Sequence, residues 1–254
     1  MAQTGVRRWT DEERLLSLYL YFQLPFGKLD QRTPEVQALA QAIGRTASSV
    51  AMKLANFASL DPKITSTGRK GLPGASKEDR AIYAKFGTDW DALVAEAGRL
   101  WEARVSSTGS SELDPLTIPE RRVTEAQSPF GEFNGPSQRE DFVLQRVGQG
   151  FFRRAVLANY DEACCITGIS EPRLLIASHI VPWKDDIENR HNPANGLLLS
   201  ATMDRAFDTG LLTIDPAGTI RISSILLKSR NSENCAVLRG LSRCKNTRGC
   251  TIRP

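Results

Sequence analysis

Two histidines are all that this chain of 254 residues has, His179 and His191, and both lie in one stretch, residues 174–210, together with Asp204 and Asp208. An imidazole is the side chain whose ordinary pKa makes it a usable base near neutral pH. Two carboxylates four residues apart fall on one face of a helix and offer hard oxygen donors suited to Mg²⁺ or Mn²⁺. A proton acceptor beside metal-holding carboxylates makes up the working parts of a hydrolytic site.

The elements that must position these groups follow from the surrounding text. His179 ends an apolar run, Leu174, Leu175, Ile176 and Ala177, that reads as a short buried strand. Pro182 and Trp183 break it. Asn195-Gly196 reads as a turn, and Leu197, Leu198 and Leu199 as a second strand returning beside the first. Ser200, Ala201 and Thr202 cap a short helix that carries Asp204 and Asp208. Upstream, residues 138–160 are expected to be mostly helical, with Phe151, Phe152, Val156 and Leu157 on an apolar face and Arg153 and Arg154 directed towards a substrate. Cys164–Gly168 is expected to be a strand and turn. Downstream, residues 211–215 and 219–223 flank Pro216-Ala217-Gly218 as a hairpin that should extend the small sheet.

That order of residues resembles the HNH nucleases, whose fold is called ββα-metal. ASHIVPW, NPANGLLLS and DRAFDTGLLTID, with the preceding VGQGFFRRAVLANYDEACCITG, are similar to the restriction-type bacterial branch of that family. The resemblance implies a nuclease whose general base is His179. It implies that Asn195 steadies the connecting loop and orients the histidine ring, and that Asp204, nine residues on, is a metal ligand joined by Asp208. Lys184 in the loop and Arg205 between the ligands would hold flanking phosphates as charged donors. Two positions depart from the family's best-known form. Ser178 stands where many members carry an acidic or histidine ligand, and Asp204 stands where a histidine is expected. Both leave oxygen ligation open. His191 is expected to be a solvated bystander and Trp183 a packing residue.

The first part of the chain is helical in pattern. Thr10-Asp11-Glu12-Glu13 begins one helix, Thr33-Pro34 a second that Gly44 stops, and Arg45-Thr46 a third over residues 47–60. Three short helices, the last entered through GRTASSV, look like a helix-turn-helix of the Myb or SANT type. By that likeness Arg45, Ser48, Ser49, Lys53 and Asn56 would face DNA. A glycine-rich basic loop, residues 63–74, and two further helices follow, to Phe86 and to Arg104. Residues 105–137, rich in Ser, Gly, Pro and Glu, read as a linker. The expected organisation is α+β: a helical, DNA-binding domain over 1–104, the linker over 105–137, and a ββα-metal nuclease domain over 138–254.

Composition excludes some classes. No apolar run is long enough to cross a bilayer, and residues 1–10 show no secretory core, so a cytoplasmic protein is expected. The five cysteines are odd in number and form no CxxC pair, which points to reduced thiols. A structural zinc at Cys165, Cys244 and Cys250 is disfavoured by the spacing. Beyond Leu227 seven basic residues face one acid, Glu233, and a positive tail favours a phosphate backbone as partner. Double-stranded DNA is the expected partner, and a homodimer would allow one site per chain to cut both strands. Two rivals stay open: a catalytically silent DNA-binding protein on the same scaffold, and an RNA-directed nuclease.

Overall fold

The computed structural model describes residues 7–104, 136–215 and 217–227. The chain divides into two compact units, within residues 1–114 and 115–254. Most of the expected linker, the basic tail beyond Leu227 and Cys235, Cys244 and Cys250 lie outside the described residues.

The first unit is helical: α1 Asp11–Tyr21, α2 Pro34–Ile43, α3 Ala47–Ala58, α4 Pro62–Thr65, α5 Lys77–Phe86 and α6 Trp90–Arg104. Each boundary has a local cause. The Thr10 hydroxyl accepts from Glu13 N, and the Glu13 carboxylate accepts from Thr10 N, a reciprocal cap. Ser76 and Asp79 repeat that arrangement at α5. Pro34 supplies the first turn of α2, and Gly44, at φ 63, ends it. Leu16, Leu18, Val36, Leu39, Val50, Leu54, Phe57, Leu93 and Val94 bury their side chains together.

Charge inside this unit corrects one expectation. Arg45 and Lys53 do not present their cations to an outer face. Arg45 donates to Glu13 at 2.7 Å, and Lys53 lies 2.7 Å from Asp79; all four side chains are at most 8% exposed. Arg7 also bonds Glu13, and the Trp9 ring takes the Arg45 guanidinium at 4.1 Å and the Lys53 ammonium at 4.8 Å. A buried carboxylate needs a paired cation to remain charged, so α1 and α5 draw these two residues inwards. Asn56 donates to the Leu72 carbonyl, and Leu72 N to the Ala55 carbonyl. The basic loop over residues 63–74 is therefore tied at Leu72 to the C-terminal half of α3. Ser48 and Met52 remain exposed on that helix.

The second unit runs α7 Pro136–Asn159, β1 Leu175–His179, β2 Gly196–Ser200, α8 Ala201–Asp208, β3 Leu212–Ile214, β4 Ile220–Ile222 and α9 Ser224–Leu227. Strands β1 and β2 pair antiparallel, with Leu175 opposite Ser200 and His179 opposite Gly196. Residues of β2 are all buried, because α7 and α8 both pack on this hairpin. A strand covered on both faces reads as continuous apolar text rather than an alternation, which is why Leu197, Leu198 and Leu199 occur in a row. Two expectations are corrected. The second hairpin pairs with itself as a separate two-stranded sheet instead of extending the first. Residues 164–168 form a turn, with Gly168 N donating to the Cys164 carbonyl and Cys165 N to that of Leu198. Leu212, Ile214 and Ile220 still join the same core as Phe152, Val156, Leu197 and Met203.

The contact between α7 and the hairpin is close. A Cβ on Gly196 would lie 2.4 Å from Val156 Cγ2 and 2.9 Å from Phe152 Cζ, and the Tyr160 hydroxyl donates to the Gly196 carbonyl at 3.2 Å.

Two outcomes are expected. Lys53→Ala leaves the buried Asp79 with Arg14 Nε, 3.3 Å away, as its remaining cation and should cost about 1.5–3 kcal/mol, read as a lower denaturation midpoint; an unchanged midpoint would show that the Lys53 bond contributes nothing. Gly196→Ala overpacks the α7 face and should cost about 1–3 kcal/mol, checked by the same unfolding curve.

Candidate active site

His179 is the last residue of β1, and Ser178 precedes it. Consecutive strand residues project to opposite faces, and the contacts follow that rule. Ser178 Oγ donates to Asp204 Oδ1 on α8, while the His179 imidazole stacks on Phe152 of α7, centroids 3.8 Å apart and planes 6° from parallel. At the end of β1 Ser178 thus turns to Asp204 and His179 to Phe152.

His179 is held on three sides. Phe152 covers one ring face, Trp183 approaches edge-on at 5.6 Å, and Nε2 lies 3.0 Å from the Arg190 carbonyl oxygen. A carbonyl only accepts, so Nε2 carries the hydrogen and the neutral ring keeps its lone pair on Nδ1. Nδ1 bonds no described residue. Burial holds the imidazole below its ordinary pKa, and the charge of His191 pushes the same way; only the Arg190 carbonyl opposes. At neutral pH His179 is an uncharged base.

The connecting loop is closed by Asn195. Its Oδ1 accepts from Val181 N at 2.8 Å, its Nδ2 donates to the Val181 carbonyl at 3.1 Å, and its own carbonyl accepts from Ile180 N at 2.8 Å. Asn195 thus clamps the backbone one and two residues beyond His179. Asn192 caps the Pro193–Asn195 turn by accepting from Ala194 N. His191 is not solvated as expected. It is 8% exposed, edge-on to Trp183 at 5.3 Å, and so close to α7 that a Cβ on Gly148 would lie 2.1 Å from its Nε2. This seat anchors the loop whose Arg190 carbonyl meets His179.

Asp204 is half-buried and Asp208 exposed on α8. Burial raises the Asp204 carboxyl above its usual range and the Asp208 charge adds to that, while the Ser178 bond and the Arg205 charge pull it down. Arg205 and Lys184 are exposed. Arg153 reaches back to the Leu175 carbonyl at 3.0 Å and the Pro172 carbonyl at 3.5 Å, fastening α7 to the entry of β1. Arg154 lies half-buried along α7 near Gly150. Among the described residues no three His, Cys, Asp or Glu side chains cluster as a metal site.

Sequence reasoning missed two partners of the base. Phe152 was legible only as apolar helix, and Arg190 was not singled out. Stacking partners and backbone acceptors are set by tertiary approach, and no spacing encodes them.

A hairpin followed by a helix, with an imidazole at the strand end and an asparagine bracing the loop, defines the C-terminal unit as a ββα domain. Residues 164–215 match the family described as HNH endonuclease. This region is an HNH domain, which implies nuclease activity in general and a nucleic acid as substrate; nucleases of this family generally use divalent ions. No curated protein matches the chain. Among the described residues no helix is long and apolar enough to cross a membrane.

Replacing the stacking ring should release the base. In Phe152→Leu, water reaches His179 and its pKa should rise towards the ordinary 6.5, measured by imidazole NMR titration. An unmoved titration would assign the depression to something other than this ring.

Proposed function

We propose that the chain is a metal-dependent DNA endonuclease of restriction or defence type, with His179 as its general base. The observation that carries the reading is the bond between His179 Nε2 and the Arg190 carbonyl, which leaves Nδ1 as a neutral proton acceptor at the end of β1. Duplex DNA as the target rests on the likeness of the motif text to the restriction-type branch and on the three-helix order of the first unit.

The donor set on α8 fits a hard dication. It consists of oxygen atoms alone, and Mg²⁺ usually takes one or two carboxylates and completes its shell with water. Asp204, with its negative charge half-buried beside that of Asp208, would hold the ion with Asp208, and Ser178 would orient Asp204. Such an ion supplies charge neutralisation at the scissile phosphate and at the departing oxygen. The rest falls to side chains and backbone. His179 Nδ1 takes the proton of a water as its oxygen attacks phosphorus. The Arg190 carbonyl stabilises the imidazolium that forms, Asn195 keeps the loop from drifting, and Arg205 and Lys184 hold neighbouring phosphates.

A second reading has its own support. Ser178 stands in a usual ligand position, and the described residues lack a three-member donor cluster, as a silent DNA-binding protein on this scaffold would. Plasmid incubated with Mg²⁺ or Mn²⁺, with and without EDTA, separates the two. The enzyme nicks only without chelator, and both His179→Ala and Asp204→Ala abolish nicking, the latter with DNA affinity kept within about severalfold. Binding without nicking in any divalent ion supports the silent protein.

The pH profile follows from the depressed pKa. The neutral imidazole is the active form, so cleavage should be lost as pH falls through a value below 6.5 and be near its plateau at pH 7. A half-maximal point above 6.5 would count against His179 as the base.

A further inference from the structure

We infer that Arg190 is a phosphate-binding residue, its guanidinium gripping the nucleic-acid backbone beside His179. The inference rests on the nuclease reading and deepens it, since nothing in the motif assigns this arginine a role. Three observations converge. The Arg190 carbonyl lies 3.0 Å from His179 Nε2, which ties this residue to the base itself. Its planar head is anchored twice: Nε donates to the Ile187 carbonyl at 3.1 Å, and Cζ sits 5.1 Å over the Trp183 ring, which in turn stands edge-on to His179. Neither terminal amino group donates to any described residue.

A guanidinium fixed at Nε and across an aromatic face, with its Nη fork left over, is shaped for one kind of ligand. A tetrahedral phosphate accepts two parallel N–H bonds from such a fork. Because Trp183 and Ile187 already hold the head, little rotamer freedom is lost on binding. Other cations of this unit differ. Arg153 gives its Nη groups to backbone carbonyls, while Arg205 and Lys184 stand exposed, with no bond to a described residue that would hold their heads. Arg190 is half-buried, so its charge is screened less than theirs.

The test uses the full chain as wild type, Arg190→Ala and Arg190→Lys. Nicking of supercoiled plasmid in Mn²⁺ should fall about ten- to hundredfold in the alanine variant, the loss expected for charge-assisted bonds, with partial recovery in the lysine variant. Binding of a labelled duplex in EDTA, followed against KCl, should show a salt slope smaller by about one in the alanine variant. The His179 ¹⁵N shifts should stay in place, because the backbone carbonyl remains. An unchanged salt slope overturns the inference whatever the nicking rate does. A reduced slope with displaced His179 shifts also overturns it, for then the arginine acts through Trp183 and the loop. A wild type that never nicks sinks the nuclease reading alone, and the slope still decides whether Arg190 holds phosphate.

Discussion

The geometry of the nuclease unit hangs on one close approach, the packing of α7 against the strand hairpin at Gly196. A methyl group there would strike Val156 and Phe152, so the missing side chain sets how near the helix can come. That nearness brings Phe152 onto the face of His179, directly across from Gly196 in the strand register. The same helix receives His191 at Gly148. One helix thus seats the base and pins the far end of the loop that supplies its hydrogen-bond acceptor. Packing of this kind tolerates little change in volume, and the orientation of the imidazole inherits that intolerance.

The first unit shows a different use of charge. Arg45 and Lys53 have the residue types and helical positions of DNA-reading side chains, yet Glu13 and Asp79 draw them inside. Burial pushes Glu13 up, but bonds from Arg45 and Thr10 and the charges of Arg45 and Arg7 more than reverse it, so its carboxyl sits below the usual range. Asp79 behaves alike through Lys53 and Ser76. Their contribution to stability is therefore complete above the ordinary carboxylate pKa and is lost as pH falls through the lowered one. Any grip on nucleic acid by this unit falls to residues such as Ser48 that remain on its outside.

Much of this was legible in the text of the chain, for physical reasons that differ by residue. Caps were legible because a hydroxyl and a carboxylate three residues apart make local bonds, as at Thr10–Glu13. The ββα order was legible because His179, Asn195 and Asp204 keep their family spacing. What stayed hidden was tertiary. Nothing local tells Lys53 that Asp79, twenty-six positions on, will meet it, or that His191 will find a glycine on α7. The second hairpin was legible as a hairpin, but which sheet it would join depended on where α8 led the chain.

Burial acts on the two halves of the site with opposite consequences. Removing water favours the neutral form of any ionisable group. For His179 the neutral form is the useful one, so the Phe152 face readies the base before substrate arrives. For Asp204 the neutral form is the useless one, and the adjacent Asp208 deepens the penalty. Ser178 and Arg205 offset part of it, but Ser178 is a neutral donor and Arg205 is exposed to solvent. A nearby dication would pull the Asp204 pKa back down, and its charge would be felt more strongly at the half-buried oxygen than in bulk water. In the proposed reaction burial thus works for the base and against the carboxylate, and a bound ion would offset the second effect without touching the first.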